Sequence, residues 1–219
     1  MITYETIKKD ENIKTYIQKA DRSLGELGFT EHSFAHVCMV AETCGYILET
    51  LGYSEHEVDL AKIAAFMHDI GNVVNRSEHS QSGALMAFRL LANLNMPAED
   101  IAEIITAIGN HDEGTGTPVS PIAAALILAD KSDVRRSRVR NQEPTSFDIH
   151  DRVNYSVTKV NLKINEEKTL IKLKLNIDPH YCSVMDYFEI FMERMILCRK
   201  AADYLGLQFK LFINEQQLI

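Results

Sequence analysis

Apolar and polar positions over the first two-thirds of the chain repeat with a helical period. A loose 3.6-residue spacing over residues 5–26 (Ile7, Ile13, Ile17, Leu24) predicts a first helix. Thr30 is placed to cap a second that runs to Leu51, with Gly52 just past its end. Ser54 opens a third, Glu57 completes a capping box, and Gly71 closes it near Asp69. Further helices are expected from Ser77 through "EHSQSGALMAFRLLANL", from Pro97 to Asn110, from Pro121 through "IAAALILAD", and over about 146–157. The glycine-rich turn "EGTGTP" precedes Pro121.

The last third changes period. "VNLKIN" and "TLIKLKLNI" alternate apolar and polar residues, which predicts two strands joined at "NEEK". Ile171, Leu173, Leu175 and Ile177 would share one face, opposite Lys172, Lys174 and Asn176. An amphipathic helix over 182–205 turns Val184, Phe188, Phe191, Met195 and Ala202 inward, Gly206 stops it, and "LQFKLFIN" supplies a third strand. The expected fold is mainly α: an all-helical core over 1–145, then a small α+β unit (ββαβ) over 146–219. That unit is also a candidate homodimer contact or ligand-binding surface.

Composition narrows the classes. With 46% hydrophobic residues in 219, the chain can bury a sizeable core. No run of 18 apolar residues exists, and "MITYETIKKDENIKTY" has charges where a signal peptide needs an apolar stretch, so a cytoplasmic protein without membrane association is expected. A net charge of −8 argues against general nucleic-acid binding while leaving room for a local basic site. Cys38, Cys44, Cys182 and Cys198 form no CxxC pair and are expected as free thiols.

The stretch "AAFMHDIGN" drives an apolar helix into His68 and Asp69. At a helix end both side chains can lean toward one point. A buried carboxylate is costly unless paired, hydrogen-bonded or bound to a metal. By itself the pair is better read as a capping aspartate beside a satisfied core histidine. His36 in "AHVCMVA" and Asp130 at the end of "AALILAD" pose the same problem, and one divalent cation would satisfy all four. Two imidazoles and two carboxylates suit Mn, Fe, Co or Ni, with Zn also accommodated, better than Mg or Ca.

The order His36, His68-Asp69, Asp130, set in "HVCMVA", "AAFMHDIG" and "ALILADKSD", resembles the HD superfamily of metal-dependent phosphohydrolases over roughly residues 30–140. The resemblance implies cleavage of a phosphate ester or anhydride in a nucleotide or other small phosphorylated molecule, with Asp69 and His68 catalytic. His79 in "HSQSGA" and His111 in "AIGNHDEGTGTP" stand where binuclear members, including the HD-GYP group, hold a second metal. That implies six ligands (His36, His68, Asp69, His79, His111, Asp130) and two divalent ions sharing a hydroxide, bridged by Asp69. The plainer reading makes His79 a first-turn polar residue and His111 a loop residue. His32, one turn before His36, is expected behind the ligands, as is Asp133.

Departures from the HD-GYP pattern limit the transfer. Asn72 replaces its lysine, Asn110-His111-Asp112-Glu113 replaces two histidines and a glutamate, and "GTGTP" lacks its tyrosine. Cyclic di-GMP cleavage is therefore not supported. "DKSDVRRSRVRN" offers Lys131, Arg135, Arg136 and Arg138 (and Arg140 beyond them) as phosphate anchors, or a solvated helix face. His56, His150 and His180 carry no motif. Two other classes stay open: a di-iron HD-type oxygenase, and a non-catalytic metal-binding regulatory protein.

Overall fold

The computed structural model describes residues 2–141 and 143–219. Helix α1 (Tyr4–Ile7) is separate from α2 (Glu11–Glu26), where one helix was expected. The Asp10 carboxylate accepts from the Asn12 and Ile13 amides and so starts a new first turn. Ser33 rather than Thr30 caps α3 (Phe34–Leu51), and Gly52 ends it in the left-handed conformation at φ 91°. The Ser54–Glu57 capping box opens α4 (Glu55–Met67) as expected. Then follow α5 (His79–Asn93), α6 (Ala98–Gly109), α7 (Pro121–Ser132) and α8 (Ile149–Ser156). The fifth helix begins at His79 rather than near Ser77, because Glu78 before it adopts a left-handed φ of 58°.

Helix α7 is the axis of the body. Every residue from Ile122 to Ser132 is buried. Its apolar surface runs all round, so it needs neighbours on every side, and α3, α4, α6 and the later helix α9 (Val184–Tyr204) supply them. Burial of Leu126, Ile127 and Leu128 contributes about 1.5–3 kcal/mol each. The same burial surrounds Asp130 and Lys131 in its last turn.

Gly71 does not act as a helix cap. It lies in a short 3-10 turn, Ile70–Val73, against the start of α5. A Cβ there would stand 2.0 Å from the His79 carbonyl oxygen and 2.5 Å from the Gly83 nitrogen, both backbone atoms. Only glycine lets the turn after His68-Asp69 touch the helix that begins with His79. Gly71→Ala is expected to cost about 1–3 kcal/mol in denaturant unfolding by overpacking, and to displace His79.

In the C-terminal unit β1 (Val157–Ile164) pairs antiparallel with β2 (Leu170–Ile177). Helix α9 (Val184–Tyr204) crosses over to β3 (Gln208–Ile213), parallel to β2, and the two-residue β4 (Gln216–Gln217) completes the order β1-β2-β3-β4. β4 is too short for alternation to reveal. Ile171, Leu173, Leu175 and Ile177 are buried together with Phe209, Leu211 and Ile213. α9 buries Tyr187, Phe191, Met195, Cys198, Ala201 and Ala202, while Val184 and Phe188, expected inward, are only partly buried. Because α9 packs on α7 as well as β3, one apolar cluster joins the helical body to the sheet. The four cysteines are free thiols. Among the described residues no helix is long and apolar enough to cross a membrane.

Candidate metal centre

Five helices end or pass at one point. α3 brings His36, the end of α4 brings His68 and Asp69, α5 brings His79, the residue after the α6 cap is His111, and α7 brings Asp130. All six are buried. In each histidine Nδ1 is already engaged. His68, His79 and His111 donate it to the carbonyl three residues earlier (Ala65 at 2.7 Å, Arg76 at 3.1 Å, Ile108 at 2.6 Å). His36 donates it to Asp133 Oδ2 at 2.7 Å. Every Nε2 therefore points inward, the arrangement that orients imidazoles toward a metal.

Two sets of atoms face one another. His36 Nε2 lies 3.6 Å from Asp69 Oδ2 and 3.4 Å from Asp130 Oδ1. His68 Nε2 lies 3.1 Å from Asp69 Oδ2 and 3.7 Å from Asp130 Oδ1. Atoms ligating one ion at about 2.1 Å stand roughly 3.0–3.4 Å apart, so these spacings suit a shared cation. His36 Nε2, His68 Nε2 and Asp69 Oδ2 are buried without a hydrogen-bond partner among the described residues. Buried polar groups of that kind are rare unless a water or an ion satisfies them. On the other side, His79 Nε2 is 3.2 Å from His111 Nε2 and 3.5 Å from Asp69 Oδ1. Asn72 Nδ2 holds that oxygen at 2.9 Å. The group can therefore bind divalent metal, and Asp69 presents one oxygen to each set.

The charges are mutually compensated. Burial alone would raise the Asp69 carboxyl, but the imidazoles of His68 and His32 outweigh it and hold it well below the usual range. For Asp130 burial is likewise overridden, chiefly by Lys131 and His36. His32, expected behind the ligands, lines the cleft beside them: its Nε2 is 4.0 Å from Asp69 Oδ2, and Thr30 holds its other nitrogen.

A cleft of about 340 Å³ opens onto these atoms. The four expected phosphate anchors divide. Lys131 lines the cleft, with Nζ 2.7 Å from Asp130 and 3.0 Å from Glu113. Arg138 also lines it, tied to the Glu31 and Asp133 carbonyls at 2.9 and 2.7 Å. Arg135 is turned away, paired with Asp133 at 2.8 Å and facing a separate groove beside β1. Arg136 covers the Tyr155 ring at 4.4 Å, and its guanidinium lies 3.9 Å from Asp178. Both sit past the end of α7, where the chain has left the helix and its face no longer points at Asp130.

Two cations reach the cleft from outside that segment. Arg76 lies 3.4 Å from His79 Nε2. Arg194, on α9, bonds Glu113 Oε1 through Nε at 2.8 Å and rests on the Phe191 ring at 4.3 Å. Its terminal nitrogens make no hydrogen bond among the described residues. Glu113 thus clamps Lys131 and Arg194; burial would raise its carboxyl, but these two cations keep it well below the usual range. The sequence signal for Arg194 was its place in the buried stripe Tyr187, Phe191, Cys198, Ala201 of α9. α8 adds His150, Asp148, Asp151 and Asn154 to the wall, for which spacing gave no sign.

A mainly helical body with a composite histidine–aspartate centre defines a metal-binding helical domain. Residues 33–135, the stretch from α3 to just past α7, match the HD domain family. The uncharacterized protein MJ1020 of Methanocaldococcus jannaschii is 25% identical over 191 residues, spanning 76% of this chain and 73% of that protein. A crystal structure from an uncultured Thermotogales bacterium, described as that of a "predicted HD superfamily hydrolase", is 24% identical with a TM-score of 0.45. The match covers 57% of this chain and 67% of the other.

Proposed function

We propose that the protein is a metal-dependent phosphohydrolase that cleaves a phosphate ester or anhydride of a small molecule, a nucleotide among the candidates. The observation that carries this reading is the pairing of two features. Buried, unpartnered ligand atoms of His36, His68 and Asp69 converge, and beside them a cleft is rimmed by Arg76, Lys131, Arg138 and Arg194. In a chain of net charge −8, four cations around one cleft select an anionic substrate.

His36, His68, Asp69 and Asp130 would hold one divalent ion, and Asp69, His79 and His111 a second. Such ions supply Lewis acidity toward a phosphoryl oxygen and toward water. Asn72 fixes the Asp69 carboxylate, and Asp133 fixes the His36 ring. Arg194 is held ready by Glu113 and Phe191, so little side-chain freedom is lost when its free nitrogens take a phosphate oxygen. Phe29, Leu27 and Phe191 offer an apolar wall to the organic part of the substrate.

The test is a panel of phosphate monoesters and nucleoside phosphates, assayed without oxygen, with Mn, Fe, Co, Ni and Mg in turn. Release of phosphate is expected, stronger with Mn or Co than with Mg. No release from any compound by metal-loaded protein, or turnover that requires oxygen, overturns the reading. Within it, Arg194→Ala should lower kcat/KM about 10- to 150-fold, one charged contact of about 1.5–3 kcal/mol, with metal content unchanged. Arg135→Ala should leave kcat/KM unaltered.

A further inference from the structure

The charge of this chain is unevenly placed. Residues 1–156 carry 14 Lys and Arg against 23 Asp and Glu, whereas residues 157–219 carry nine against eight. Five of these nine basic residues gather on one surface. Strand register sets Lys163 opposite Lys172, and Lys172 opposite Lys210, so three lysines form a row across β1, β2 and β3. Directly opposed like charges destabilise a sheet. Lys159 and Lys174 lie on the same face, which is the one turned away from the buried Ile171 and Leu173. Of these five, Lys174 alone has a carboxylate within 4.0 Å among the described residues, exposed Glu215 at 3.9 Å. Opposite Lys174 stands Phe212, partly exposed, with the ammonium 5.4 Å from its ring centre.

We infer that this sheet face is a binding surface for single-stranded nucleic acid, distinct from the metal cleft and independent of its chemistry. A polyphosphate backbone relieves the repulsion along the lysine row, and Phe212 gives a base a stacking surface. Lysines bind phosphate as point charges without planar recognition, so the binding is indifferent to sequence. A membrane is the poorer match, because Leu170 and Phe212, the large apolar side chains on this face among the described residues, are only partly exposed and offer lipid little to take up. The acidic body repels the strand elsewhere, which confines it to the sheet and reconciles the site with the overall negative charge.

The experiment is fluorescence anisotropy of a labelled oligo(dT) of about 16 nucleotides with the full chain, metal removed by chelation. Binding should weaken with salt at a log–log slope of about −3.5, the release expected for five lysine–phosphate contacts on a single strand. The double variant Lys172→Gln, Lys210→Gln, which removes a repulsive pair and so keeps the fold, should reduce that slope by about 1.4. Phe212→Leu should lower affinity roughly 5- to 150-fold at unchanged slope. No binding at low salt, an unaltered slope in the double variant, or tighter association with equal-part phosphatidylserine–phosphatidylcholine vesicles than with the oligonucleotide overturns the proposal.

Discussion

Asp69→Asn is expected to strip the chain of metal and to lower kcat/KM on the order of 10³-fold or more. The substitution keeps the size of the side chain and its bond from Asn72, so it tests charge and ligation rather than packing. Asp69 is the one residue with an oxygen facing each set of imidazoles, at 3.1 Å from His68 and 3.5 Å from His79. Losing it empties both sets at once. Asn72→Ala removes only the support of that carboxylate, and such outer contacts are worth about 10–100-fold. The order Asp69→Asn far below Asn72→Ala, and that below wild type, is the expected pattern in metal content and in turnover. An independent readout is thermal unfolding. Divalent metal at 100 times its Kd should stabilise the wild-type chain by about 2.7 kcal/mol and the Asp69→Asn chain by almost nothing. Full metal content and turnover in Asp69→Asn would remove Asp69 from the centre.

What was legible in the sequence followed from cost. His36, His68, Asp69 and Asp130 stand in apolar helices where an uncompensated polar group is expensive, so their presence demanded a common explanation. The strand faces were legible for a related reason, since a period of two admits only one buried set. Helix starts were less so. Thr30 and Ser33 are both capping residues, and the choice of Ser33 depends on how the preceding loop folds back, with the Glu31 amide donating to the Arg138 carbonyl. The phosphate anchors were hardest to read. A run of basic residues looks continuous as text, but the chain leaves the helix after Ser132, so Arg135 and Arg136 turn to other partners while Arg138 returns to the cleft. Arg194 lies 63 residues beyond Lys131 and meets it only because Glu113 binds both. No local pattern encodes a meeting of three such distant segments.

Two metals per chain are expected at saturation, and one after substitution of alanine for both His79 and His111. The lone pairs of His79 and His111 require the second ion. The Ile108 and Arg76 carbonyls each accept a hydrogen bond from the Nδ1 of one ring, so the two Nε2 atoms confront each other at 3.2 Å as acceptors. Two acceptors at that distance need a donor or a cation between them. Arg76 reaches only one, His79, at 3.4 Å, which leaves His111 Nε2 with no donor of its own among the described residues. The carboxylate oxygen Asp69 Oδ1 completes a three-atom set on the same side. The first set, built on His36, His68 and Asp130 with Asp69 Oδ2, shares none of these nitrogens and should survive the double substitution. Inductively coupled plasma mass spectrometry on protein loaded with Mn or Fe counts the ions directly. Turnover should fall by at least about 10²-fold, because half of the electrostatic stabilisation of the developing phosphate charge goes with the second ion. A wild-type chain that saturates at one ion, together with a double variant that keeps that ion and full turnover, would make the centre mononuclear and leave His79 and His111 outside its chemistry.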